Sequence, residues 1–137
     1  EASILVMHSL QVDLEQRLDG LRQVTQPAEI LETIRQNDRV LIDPKLLDYI
    51  NALVRRTREW PQFYLGASPR AGLALMRGAR TLAAFHGRDY AVPDDVAELA
   101  KPVLRHRVIL SAEAEVEGQS VDELLEELMA SVEVPRL

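Results

Sequence analysis

Apolar residues recur every three or four positions along most of this chain, a period that predicts helices rather than strands. Ile4, Leu5, Val6 and Met7 suggest a short helix over residues 1–9. Leu10, Leu14, Leu18 and Leu21 keep a helical spacing through a stretch that also holds Gly20. Pro27 with Ile30, Leu31 and Ile34 predicts a helix over 26–36, with Thr25 as its cap. Residues 39–42 (Arg-Val-Leu-Ile) read as extended chain, and Asp43-Pro44 opens the next helix. In that helix Leu46, Leu47, Ile50, Leu53 and Val54 form one stripe, while Lys45, Asp48, Asn51, Arg55 and Arg58 take the other face. Trp60 before Pro61 ends it, because a residue preceding proline is pushed out of the α region.

A long apolar helix is predicted from Pro69 to His86, with Gly87 as its left-handed stop. Its small residues Ala74, Gly78, Ala79 and Ala83 allow close approach by neighbouring helices. Pro93 starts another helix, with Asp94 and Asp95 in the turn that favours acids. Pro102 is expected to split it into 93–100 and 102–107. Gly118 sits in a loop, and Ser120-Val121-Asp122-Glu123 reads as a capping box ahead of a stripe formed by Val121, Leu124, Leu125, Leu128 and Met129. The pattern as a whole predicts an all-α helical bundle. Short extended connectors are expected near 39–42 and at 107–110 or 132–134.

One segment departs from ordinary helix chemistry. In Gly66-Ala67-Ser68-Pro69-Arg70-Ala71-Gly72, Ser68 suits an N-cap and Pro69 the first helical position. Arg70 then falls beside the positive end of the helix dipole, a placement unfavourable by about 0.3–1 kcal/mol. A guanidinium there adds to free N–H groups already disposed to hold an anion. Two readings stay open on this pattern: an arginine that faces a phosphate, or one that bends back to a surface carboxylate.

The run from Tyr49 to Val108 resembles the C-terminal helical lid of the MoxR family of AAA+ ATPases. The resemblance is carried by Tyr49-Ile50, Leu53-Val54-Arg55-Arg56-Thr57-Arg58, Leu65-Gly66-Ala67-Ser68-Pro69-Arg70-Ala71, Gly87-Arg88-Asp89-Tyr90, Pro93-Asp94-Asp95-Val96 and Val103-Leu104-Arg105-His106-Arg107. Lids of magnesium-chelatase subunits and replicative helicases are similar but share less of it. The resemblance implies an AAA+ lid fold over residues 1–137, excerpted from a longer ATPase whose nucleotide-binding αβ subdomain precedes residue 1. It implies that Arg70 is the sensor-II arginine, reaching the γ-phosphate of ATP bound with Mg2+ mainly by that subdomain. Ser68, Pro69 and Ala71 accompany it, and Tyr49 and Ile50 are candidates for the adenine side. The partners implied are the αβ subdomain, a homo-oligomeric ring taken as a hexamer, and a protein bearing a von Willebrand factor A domain. The parent would be a chaperone-like machine. One position departs from the family pattern: Val92 stands where a threonine usually caps, which bears on stability rather than on the nucleotide.

Composition narrows the classes further. A chain of 137 residues can bury about 65–70% of its unfolded surface, enough for a core. No stretch approaches the ~20 apolar residues of a membrane span, no signal peptide is visible, and cysteine is absent, so a cytoplasmic protein is expected. Ten basic and five acidic residues lie between Arg55 and Arg107, against eight acidic residues and Arg136 alone from Val108 onward. A net charge of −6 argues against a dedicated nucleic-acid binder, although Arg55, Arg56, Arg58, Arg77 and Arg80 would be the residues of such a module. Arg55, Arg56 and Arg58 otherwise pair across a subunit interface or solvate a helix face. A third class is a bare interaction domain that grips its partner through Leu124–Met129.

No phosphate loop, catalytic serine or cysteine arrangement, or metal-ligand spacing is present, and no metal site is expected. His8, His86 and His106 read as helix-end or surface residues, and Asp94-Asp95 as a helix start. Trp60 and Tyr64 read as packing around a proline turn. Alone, the chain is expected to hydrolyse nothing.

Overall fold

Seven helices and two short strands order the described residues of a computed structural model, which are 2–9 and 20–136. The helices are α1 (Ala2–Ser9), α2 (Pro27–Asp38), α3 (Pro44–Glu59), α4 (Pro69–Phe85), α5 (Pro93–Leu104), α6 (Ala112–Val116) and α7 (Val121–Ala130); the strands are β1 (Phe63–Leu65) and β2 (Ile109–Leu110). The chain divides into two units, Glu1–Thr33 and Ile34–Leu137, with the division inside α2. In the first unit Ile4, Leu5 and Val6 of α1 are exposed, as are Ile30 and Leu31 of α2. The leucines Leu10, Leu14 and Leu18 and the side chain of His8 lie outside the described residues. Thr25 does not cap α2 directly. Its hydroxyl donates to the Glu29 carboxylate, which itself accepts the Gln26 N–H at 3.0 Å.

The second unit is built on α4. Ala71, Leu75, Ala79 and Ala83 recur on one helical face and are wholly buried. Against them pack α3 through Leu46, Ile50, Leu53 and Val54, and α5 through Val96, Ala100 and Leu104. At Gly78 the approach is close: a Cβ there would lie 2.8 Å from Leu99 Cδ1, so that side chain would have to shift. Helix α7 closes the core with Leu124, Leu125 and Leu128, all buried, which removes the reading of that stripe as an exposed grip for a partner.

Several starts and stops follow the expected chemistry, and others do not. Asp43 caps α3 by accepting the Lys45 N–H at 2.8 Å. Gly87, with φ of 69°, ends α4 in the left-handed conformation. The Arg88 N–H then reaches Ala83 O and the Gly87 N–H reaches Ala84 O, both at 2.9 Å. Ser120 occupies the N-cap of α7, but its hydroxyl makes no capping bond, so the expected capping box does not form. Pro102 does not split α5, which continues to Leu104. It removes only one bond, near the helix end, and both Pro102 and the Glu98 it leaves unbonded are exposed, so water can meet the freed carbonyl.

Extended chain appears at two of the expected places. Leu41 forms a parallel bridge with Tyr90, donating to Asp89 O and accepting from Ala91 N. Strand β2 pairs antiparallel with β1, with Phe63 opposite Leu110 and a register irregularity before Leu65. Strand β1 and helix α6, which Ser111 caps, are not foreseen by periodicity because each is very short.

The turn between α4 and α5 is organised by one buried acid. Asp95 is 2% exposed. Its carboxylate receives the Arg88 guanidinium through both oxygens, at 2.5 and 2.8 Å, and accepts the Val92 N–H at 2.8 Å. Arg88 also donates to Tyr90 O and lies 3.1 Å from His86 Nδ1. Val92 has no capping hydroxyl, and the reach of Asp95 back to its N–H supplies half of a capping box without one. Burial pushes the Asp95 carboxyl up, but the Arg88 and Val92 hydrogen bonds and the nearby positive charge outweigh it and hold it below the usual carboxylate value.

A carboxyl so lowered adds stability that is complete above the ordinary carboxylate pKa and is lost as pH falls through the folded value. Asp95→Asn is therefore expected to lower unfolding free energy by about 2 kcal/mol at pH 7. In urea titrations the gap between the two proteins should hold steady down to about pH 5 and close below about pH 4.

Candidate functional site

The mouth of α4 is placed by a contact between two backbones. After β1 the chain passes so close to α3 that a Cβ on Gly66 would stand 2.5 Å from Arg58 N and 2.6 Å from its Cα. Only glycine fits there. One residue on, the Ala67 N–H donates to the hydroxyl of Thr57 at 2.8 Å, and that hydroxyl donates to Val54 O at 2.6 Å. Thr57 and Ala67 are both fully buried, so the pairing leaves no orphan donor out of water. Gly66 and Thr57 together fix where Ser68, Pro69 and Arg70 emerge.

From that anchor the chain turns outward. Ser68, Pro69 and Arg70 are exposed, whereas Ala71 is buried in the core. Ser68 is the N-cap, yet its hydroxyl makes no capping bond, and Pro69 has no N–H to offer. The Arg70 guanidinium has no hydrogen bond or ion pair among the described residues; it does not fold back onto a surface carboxylate among them. An exposed guanidinium and an unengaged hydroxyl thus stand at the positive end of a 17-residue helix.

Beside this mouth lies a cleft of about 210 Å³ between α3 and α4. Leu47, Ile50 and Val54 line one wall and Pro69, Leu73 and Met76 the other, with Asn51 and Arg58 at polar points. Gly72 leaves room in it: a Cβ there would touch Ile50 Cγ2 at 3.7 Å and Val54 Cγ2 at 3.8 Å. Leu47 and Leu73 expose 41% and 52% of their surface, so the cleft has an apolar rim open to solvent.

The structure brings Ile50 to this cleft but not Tyr49. Tyr49, next along α3, is buried under the C-terminal segment, beside a separate hollow lined by Lys45, Val132, Glu133 and Pro135. Burial, with the nearby charge of Asp94, pushes its phenol pKa up. Arg55 and Arg58 are exposed, and Arg56 donates to Ser131 Oγ at 3.3 Å. Thr57, Gly66 and Gly72 were missed as shaping residues. Their signal is glycine and a hydroxyl within an otherwise apolar run, but it needs spatial neighbours to be read.

The profile of the AAA lid domain family matches residues 55–128. Chaperone MoxR1 of Mycobacterium tuberculosis is 36% identical over 103 residues, 67% of this chain and 27% of that protein. This chain belongs to the AAA lid domain family, in its MoxR branch. The lid is also 37% identical over 126 residues to YeaC of Bacillus subtilis, a protein without an assigned function, covering 85% of this chain and 39% of that one. Among solved structures, a candidate ATPase of Cytophaga hutchinsonii superposes with a TM-score of 0.76 at 32% identity, covering 91% of the lid and 44% of its neighbour. The chain thus spans less than half the length of each of these relatives. Among the described residues, no helix is long and apolar enough to cross a membrane.

If the Gly66 and Thr57 contacts hold the mouth of α4 in place, both should be costly to alter. Gly66→Ala is expected to lose about 1–3 kcal/mol of unfolding free energy, since its Cβ meets backbone that cannot yield. Thr57→Val should lose a similar amount by stranding the Ala67 N–H, and Thr57→Ser should recover most of it. Chemical denaturation measures both, and hydrogen exchange at Ala67 should quicken in the valine variant alone.

Proposed function

We propose that this lid serves ATP hydrolysis in a MoxR-type AAA+ ATPase by presenting Arg70 to the γ-phosphate of a nucleotide held mainly by an αβ subdomain. The observation that carries the reading is the exposed, unpartnered Arg70 guanidinium at the N-terminus of α4, directly beside an apolar cleft. The residues present fit part of a nucleotide. Ile50, Val54 and Leu73 give the cleft apolar walls, and its rim, open at Leu47 and Leu73, suits the apolar surface of an adenine ring. The Ser68 hydroxyl and the Arg70 N–H suit phosphate oxygens. A phosphate loop and acidic Mg2+ ligands are missing from this sequence, so the nucleotide and its metal need the other subdomain.

In this reading ATP with Mg2+ supplies the transferable phosphoryl group. Arg70 stabilises the negative charge that develops on it, as a preplaced cation does without reorganising at the moment of reaction. Pro69 and Ala71 hold the first turn in place, one by its fixed φ and the other by burial. Ile50 takes the adenine side; Tyr49 acts behind it as packing. The parent assembles as a ring, a hexamer in this proposal, in the cytoplasm. There it works as a chaperone-like machine with a partner bearing a von Willebrand factor A domain.

In the full-length ATPase, Arg70→Ala is expected to lower kcat at least tenfold while thermal unfolding stays unchanged, and Arg70→Lys should restore only part of the rate. Turnover equal to wild type would remove Arg70 from the reaction. Gly72→Ala separates the cleft from the arginine. It should stabilise α4 by about 0.5–1 kcal/mol through helix propensity, yet raise KM for ATP severalfold by narrowing the space beside Ile50. An unchanged KM would place adenine elsewhere.

A further inference from the structure

A second polar hollow in the second unit, of about 350 Å³, is lined by Ile34, Asn37 and Asp38 from the end of α2 and by Arg77, Arg80 and Thr81 from α4. Arg77 and Arg80 sit three residues apart and therefore on one helix face. Neither has a carboxylate within 4.0 Å among the described residues, although the chain carries a net charge of −6 and offers many acids. Arg80 is partly buried, and its Nε is shut off from water without an acceptor. That nitrogen therefore has neither water nor a partner among the described residues. Asn37 is held in place across the hollow: its Nδ2 donates to Thr81 Oγ1 at 2.8 Å, and that hydroxyl donates to Arg77 O at 3.1 Å.

We infer that this hollow is a docking pocket for the carboxylate side chain of an acidic protein segment. Two guanidinium forks match the plane of a carboxylate, and Ile34 offers an apolar surface to the methylenes of a glutamate. A phosphate suits the place less well. The pocket lies at the C-terminal end of α2, the negative end of its dipole, with Asp38 on its rim, and along the middle of α4, where backbone N–H groups are already bonded. A dianion meets repulsion there and finds no free backbone donors, while a monoanion is held by the two arginines. This inference stands independently of the nucleotide reading, since it uses none of the residues at the mouth of α4.

Nuclear magnetic resonance titration of the full chain with N-acetylated, amidated tetraglutamate tests it. Saturable shifts are expected at Asn37 and across Arg77–Thr81, with none from the tetraglutamine counterpart. Arg80→Gln and Arg77→Gln should each weaken binding about tenfold. Arg80→Lys should also weaken it, because the charge stays but the fork is lost. Should Arg80→Gln fail to fold, the exposed Arg77→Gln carries the test. The proposal is overturned if no saturable shift appears at these residues or if tetraglutamine binds equally well. It is also overturned if inorganic phosphate displaces the peptide at equal concentration.

Discussion

A single buried hydroxyl holds the architecture of this lid together at the mouth of α4. Thr57 lies in the last turn of α3, where a threonine commonly bonds its own helix, and it does so by donating to Val54 O. Its remaining acceptor capacity meets the Ala67 N–H, the backbone donor that would otherwise be stranded as the chain leaves β1 for α4. That bond forms only because Gly66 allows the two backbones to come into contact beside Arg58. The start of the longest helix is therefore set by atoms of its neighbour, not by its own cap. Ser68 can leave its hydroxyl unengaged, since the helix needs no help from it to begin where it does.

The same economy of contacts recurs at the other end of α4. Gly87 closes the helix, and the Arg88 and Asp95 pair then turns the chain into α5 through a buried, fully bonded carboxylate. Exposed pairs, such as Arg105 with Asp122 at 3.0 Å, join α5 to α7 without comparable burial and contribute little. Stability is thus concentrated in two polar knots and one apolar layer, with α4 running between the knots.

Much of the helical layout could be read from spacing alone. The stripe of α3, the boundaries of α4 and its left-handed stop rest on local rules, and local rules are visible in one dimension. The failures share a cause. Pro102 was expected to break α5, but whether a proline breaks a helix depends on which side of it meets water. Ser120 and Thr25 have the right chemistry at the right place, yet their hydroxyls are not the groups that satisfy the backbone. Strand β1 depends on β2, more than forty residues away, so nothing near Phe63 announces it. At the candidate site, Arg70 stood out because its charge opposes the helix dipole. Thr57 and Gly72 did not, since their roles exist only once α3 and α4 lie side by side.

Among the described residues, Arg70 has no carboxylate to leave behind. A side chain already paired inside the lid would have to surrender that pairing on meeting an outside anion, and the exchange would subtract from any difference between the two conditions. Here nothing is surrendered. In the proposed role, the full attraction between the guanidinium and an arriving charge would bias one arrangement of the lid over another, and would vanish just as completely when that charge departs.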